Sequence, residues 1–205
     1  MASTHDRFAA EISAFAPAAG PTTLFVGSSS IRLWDVGHSF PGLGTVNRGF
    51  GGATVGDVLF HYDRVVAGVH AASVIVYVGE NDIAEGKAPD RVAADLLALL
   101  GRLRADMPHA RIAYLSMKAT PLRRELYPKM AAVNAAMRAQ AGKGFDYLDV
   151  AGALMTAAGE PDADLFSDGL HLNARGYSLW NGIVERWLKP SVPVEKVAQK
   201  AVASS

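Results

Sequence analysis

The sequence predicts an α/β protein: a three-layer α/β/α sandwich built on a parallel sheet. Three observations carry this. Short apolar runs bounded by turn residues recur along the chain, and Ser73-Val74-Ile75-Val76-Tyr77-Val78 is apolar throughout after its serine, as a strand covered on both faces must be. Between these runs lie longer segments whose apolar residues repeat at helical spacing. Polar clusters rich in glycine or serine then follow one predicted strand after another, where an open parallel sheet places its ligands.

In chain order, Phe8, Ile12 and Phe15 give residues 4–15 the pattern of a short amphipathic helix that Pro17 ends. A strand at 22–26 runs into Gly27-Ser28-Ser29-Ser30, and a second at 45–47 runs into Arg48-Gly49-Phe50-Gly51-Gly52. Residues 54–66 read as one helix, with Val55, Val58, Leu59, Tyr62 and Val66 on one face. The 73–78 strand ends in Gly79-Glu80-Asn81-Asp82. Pro89 suits the first turn of a helix whose stripe is Val92, Leu96, Leu99, Leu100 and Leu103, closed by Pro108. Strands follow at 112–116 and 145–150, flanking an alanine-rich helix at 126–140. The final helix, 174–188, starts at an Asn173 cap and buries Tyr177, Trp180, Val184 and Trp187; the tryptophans read as packing. Five strands alternating with helices give a five-stranded parallel sheet of flavodoxin-like type. Residues 1–190 form a single domain, and 191–205 are expected to be a flexible tail.

Composition narrows the function. A chain of 205 residues, half of them hydrophobic, folds without covalent staples. The absence of cysteine excludes disulfides, thiol nucleophiles and cysteine-bound zinc. Lys+Arg 20 against Asp+Glu 20 leaves no basic face for nucleic acid. No apolar run is long enough to span a membrane. Asp6, Arg7 and Glu11 interrupt the place where a secretory leader would be apolar, which predicts a cytoplasmic protein; a secreted chain freed of its leader reads the same way.

The polar clusters converge on one chemistry. A serine at a strand tip, beside helix-opening amides, is sited to be a nucleophile, although any of Ser28, Ser29 and Ser30 would serve equally as a helix cap. Asp168-Gly169-Leu170-His171 supplies a base: the aspartate orients one ring nitrogen while the other takes a serine proton. Gly51 and Gly52 let a backbone N–H approach a reacting carbonyl oxygen, and Asn81 offers a side-chain N–H to the same oxygen. The glycines fail the dinucleotide-binding spacing, since Thr54 holds the third position. Asp168 and His171 lack a second histidine at ligand spacing, so no metal is expected.

These blocks resemble the SGNH or GDSL hydrolases over roughly residues 22–188. Gly27-Ser28-Ser29-Ser30-Ile31 stands where that family has Gly-Asp-Ser-Leu, which implies Ser29 as nucleophile. Asn47-Arg48-Gly49-Phe50-Gly51-Gly52 implies an oxyanion glycine at Gly52, Gly79-Glu80-Asn81-Asp82 an oxyanion asparagine at Asn81, and Asp168-x-x-His171 the remaining pair. The Ser29 N–H completes the expected oxyanion hole. One departure stands out: Ser28 replaces the family's aspartate. The resemblance implies a cofactor-free, metal-free serine esterase acting on a small-molecule ester, and the short segments between the blocks, which leave little chain for a lid, point to a short acyl or acetyl group. The alternative is a catalytically inactive protein that binds an acyl or carbohydrate ligand on the same fold. Arg32 and Trp34 are expected to serve surface pairing and packing.

Overall fold

The computed structural model, which describes residues 7–18 and 20–189, contains one sheet of five parallel strands: β1 (Pro21–Gly27), β2 (Thr45–Gly49), β3 (His70–Tyr77), β4 (Arg111–Leu115) and β5 (Asp146–Leu148). Their order is β2-β1-β3-β4-β5, with every neighbouring pair parallel. This is the flavodoxin-like order of a doubly wound sheet, and it places the topological switch between β1 and β3. Around the sheet lie α1 (Ala9–Ser13), α2 (Ser29–Arg32), α3 (Val36–Ser39), α4 (Val55–Phe60), α5 (Tyr62–Val66), α6 (Glu80–Ala84), α7 (Pro89–Asp106), α8 (Tyr127–Gln140) and α9 (Ala174–Leu188).

The two-residue period of the strands divides the core into two halves. Leu24 and Val26 of β1 and Val74 and Val76 of β3 face one layer, packed under α4, α5, α7 and α8 through Val58, Val65, Leu96, Leu99 and Val133. Phe25, Ile75 and Tyr77 face the other, where Ile31, Trp34, Phe40, Trp180 and Val184 cover them. The continuous apolar run in β3 is thus two alternating sets, each buried by its own helical layer. The three-layer α/β/α sandwich read from the sequence is the fold.

Several elements differ in detail. The opening helix is the single turn α1 preceded by Arg7 and Phe8, while residues 4–6 lie outside the described residues, as does the 191–205 tail. The helix expected over 54–66 is two, broken at His61, whose backbone leaves the helical region at φ −92° and ψ 8°. That ring is buried edge-on against Phe8, Phe50 and Phe60, so the break seats an imidazole within an aromatic cluster. Trp34 and Phe40 are buried beside Phe25, as packing predicts, with the Trp34 indole N–H donating to Asn181 Oδ1 at 2.8 Å. Arg32 is half-exposed and faces Glu11 at 3.5 Å.

Candidate active site

At the end of β1 the chain turns so tightly that only glycine fits. A Cβ on Gly27 would stand 1.9 Å from the Tyr77 carbonyl oxygen. The next N–H, that of Ser28, donates to this same carbonyl at 3.1 Å, locking β1 to β3 at the tip. Ser28 then occupies the N-cap position of α2 in extended conformation, but its side chain caps nothing. Ser29 is the first residue of α2 and is partly exposed, whereas Ser28 and Ser30 are buried. The helix is braced from outside: Asn47 Nδ2 donates to the carbonyls of Ile31 (2.7 Å) and Trp34 (3.1 Å), and the Tyr177 hydroxyl donates to that of Ser30 (2.8 Å).

The loop before α9 reaches the same place. An antiparallel bridge between Phe166 and Leu172 pinches it, and the His171 carbonyl accepts from the Ser167 N–H at 2.9 Å. Asn173 caps α9 by accepting from the N–H groups of Arg175 and Gly176. Within this frame His171 Nε2 lies 3.0 Å from Ser29 Oγ, and His171 Nδ1 lies 2.7 Å from Asp168 Oδ2. The other carboxylate oxygen accepts from the N–H groups of Leu170 (2.9 Å) and His171 (2.7 Å). The bond from the His171 ring, together with these two N–H groups, holds the Asp168 carboxyl well below the usual carboxylate range. A carboxylate here favours the tautomer with its proton on Nδ1, which would leave Nε2 as an acceptor facing Ser29 Oγ.

Gly52 follows β2 and Asn81 follows β3 at the same edge of the sheet. Gly51 donates its N–H to Glu11 Oε2 at 3.1 Å, and its neighbour Gly52 takes φ 74°, a left-handed turn open to glycine without strain. The Asn81 amide is fixed at both ends: Nδ2 donates to the Ala53 carbonyl at 3.0 Å, and Oδ1 accepts from Arg123 Nη1 at 3.1 Å. These partners assign amide nitrogen and oxygen without ambiguity. One Nδ2 hydrogen remains after the bond to Ala53. The next residue, Asp82, is fully buried and joins the two sides, accepting from the Val55 N–H at 2.9 Å and from Lys87 Nζ at 2.6 Å. All five residues singled out in the sequence, Ser29, Gly52, Asn81, Asp168 and His171, lie beyond the C-terminal ends of the strands, around the β1–β3 switch.

The sequence reading missed a further polar cluster after β4. Lys118 is buried; its ammonium donates to both oxygens of Glu80 (3.1 and 2.8 Å), to Ser30 Oγ (3.1 Å) and to the Tyr77 hydroxyl (3.1 Å). Asn134 of α8 pins the backbone there, its amide accepting from the Met117 N–H and donating to the Met117 carbonyl, both at 2.8 Å. The available signal was positional: 116–123 follows a predicted strand at the same sheet edge and carries two cations, yet no motif marks it. Among the described residues no group of three or more His, Asp or Glu side chains could hold a metal ion, and no helix is long and apolar enough to cross a membrane.

Comparison with known proteins follows the same lines. The profile of the GDSL-like lipase/acylhydrolase family matches residues 32–179, well over half of the chain. The chain belongs to this family of ester hydrolases and is an enzyme of the SGNH/GDSL type. The match includes Gly52, Asn81, Asp168 and His171 and begins three residues after Ser29. Solved structures share the fold. A Streptococcus pneumonia protein provisionally named for platelet activating factor superposes with a TM-score of 0.78 at 23% identity, covering 89% of this chain and 90% of its own. A GDSL-like lipase from Bacteroides thetaiotaomicron gives 0.73 at 18% identity, covering 90% and 96%. A variant of an acetyl-xylooligosaccharide esterase from Geobacillus Stearmophilus gives 0.66 at 18% identity, covering 82% and 94%. No curated protein matches the sequence significantly.

Proposed function

We propose that this protein is a serine esterase that cleaves short-chain acyl or acetyl esters through an acyl-enzyme on Ser29. The observation that carries this reading is the unbroken contact chain from Asp168 through both nitrogens of His171 to Ser29 Oγ, with bonds of 2.7 and 3.0 Å. Ser29 Oγ attacks the ester carbonyl as His171 Nε2 takes its proton. Charge passes to the carbonyl oxygen, where the N–H groups of Gly52 and Ser29 and the remaining Nδ2 hydrogen of Asn81 receive it. The tetrahedral adduct collapses; the C–O bond to the alcohol breaks, and the imidazolium protonates the departing oxygen. Water then gives a proton to His171 and attacks the acyl-enzyme, and a second collapse releases the acid and restores Ser29. Asp168 stabilises the imidazolium throughout and stays ionised.

Small acyl groups suit this site. The aromatic residues that flank Ser29 in sequence, Phe25, Trp34 and Phe40, are all buried in the core. An acetyl esterase among the solved structures of this fold fits that substrate range. Hydrolysis of nitrophenyl acetate tests the proposal. The parent should turn over, and Ser29→Ala, with an unchanged melting temperature, should fall to background. Activity retained by Ser29→Ala would remove the serine mechanism.

A further inference from the structure

The oxyanion donor proposed above has to be aimed, and a lone asparagine amide is a poor instrument for that. Its terminal torsion is broad and nearly two-fold, so amide oxygen and nitrogen exchange places at little steric cost. With the oxygen turned inward, Asn81 would repel the developing oxyanion. The Ala53 carbonyl opposes that flip at the nitrogen, and Arg123 opposes it at the oxygen. Its Nη1 donates to Asn81 Oδ1 at 3.1 Å and approaches the Glu80 carbonyl at 3.5 Å. In the flipped amide, Arg123 would face an NH₂ group, donor against donor, and the Ala53 carbonyl would face an oxygen. A charged donor on the amide oxygen also draws electron density from the nitrogen, which makes its remaining hydrogen a stronger donor.

The segment that carries Arg123 is built to hold it there. It is a 3-10 turn, Pro121–Leu126, in which Arg123 itself departs from helical geometry at φ −124° and ψ 31°. Thr120 caps it, its hydroxyl oxygen and its carbonyl accepting from the Arg123 N–H at 3.2 and 3.1 Å. One residue earlier, the Leu122 N–H donates to the Gly169 carbonyl at 2.9 Å, inside the Asp168–His171 loop. Further back, Lys118 grips Glu80, the residue before Asn81. One connection thus supplies two cations to two consecutive residues and touches the histidine loop as well.

We infer that Arg123 is a positioning residue: it acts through Asn81, fixing and polarising the amide that receives the oxyanion. The inference rests on the serine-esterase reading. Because Arg123 is only partly buried, its removal leaves no stranded charge in the core, whereas Lys118 could not be tested so cleanly. The experiment is a double-mutant cycle on nitrophenyl acetate with the parent, Arg123→Ala, Asn81→Ala and the double variant, read as kcat and KM beside thermal melts. Asn81→Ala should lower kcat by about 10²-fold or more. Arg123→Ala should lower kcat by about tenfold with KM nearly unchanged, and this loss should vanish in the Asn81→Ala background. Millimolar guanidinium should restore part of the activity of Arg123→Ala and none of that of Asn81→Ala. An Arg123 loss of equal size in both backgrounds, or one confined to KM, would overturn the inference while leaving the esterase reading intact. An Asn81→Ala enzyme with parental kcat would overturn the inference together with the oxyanion role of Asn81, while the serine mechanism stands or falls with Ser29→Ala.

Discussion

At Asp168 three donors converge on one carboxylate that is itself half-exposed, so its role lies in orientation more than in stability. Its folded-state pKa is depressed below the unfolded value, ~3.9 for an ordinary aspartate. The sign follows: whatever stability the ion contributes is complete above the unfolded pKa and is lost as pH falls through the folded one. The stability that the Asp168 ion contributes, read as the difference in melting temperature between the parent and Asp168→Asn, should therefore be lost only below about pH 4. Catalysis should respond differently. Asparagine would present its amide to Nδ1 and favour the wrong tautomer, lowering kcat by up to about 10⁴-fold at neutral pH. A melting difference already lost by about pH 5 would contradict the assigned charge state. The single residue also shows what a sequence can reveal: Asp168 and His171 are neighbours in the chain, so their pairing was legible. Arg123 and Asn81 stand 42 positions apart, and nothing short of the folded connection after β4 reveals that they touch.

The element that matters most is the turn from β1 into α2. Its geometry follows from backbone approach: at Gly27 the Tyr77 carbonyl occupies the space of any side chain. Gly27→Ala should destabilise the fold by well over the ~1 kcal/mol of a strained but uncrowded glycine. Gly42→Ala is the control, with φ 85° and open space around its missing side chain. Comparable denaturation midpoints for the two variants would mean that the junction yields without cost. The strand-to-turn pattern around Gly27 was plain in the sequence because apolar run, glycine and hydroxyls are contiguous. The break at His61 was not, because residues 54–66 keep a helical stripe through it. There an aromatic cluster drawn from distant positions, Phe8 and Phe50 among them, decides the backbone.

Across the whole molecule, the sheet order puts the ends of β1 and β3 side by side, and the chemistry collects at that switch. Helical layers on both faces leave the C-terminal edge as the place where polar loops meet without burying unpaired backbone groups. Ser29, Gly52, Asn81 and the Asp168–His171 pair therefore come to this one edge from four separate segments of the chain. Leu122, packed beside Gly169, is 63% exposed, and Leu33 at the end of α2 is half-exposed, while Trp34 and Phe40 are buried. Acetyl and butyryl esters should accordingly be hydrolysed with higher kcat/KM than palmitoyl esters, each assayed as dispersed monomers. A preference for long chains would require an acyl groove that the buried Trp34 and Phe40 do not provide.

The central claim is that Ser29, and neither of its serine neighbours, attacks the ester. Ser28 and Ser30 are buried, and among the three only Ser29 meets His171. A fluorophosphonate probe, followed by peptide mass spectrometry of the folded protein, tests this directly. One adduct should form, on residue 29, and none on Ser29→Ala. An adduct on Ser28 or Ser30, or no adduct on protein that hydrolyses nitrophenyl acetate, would contradict it.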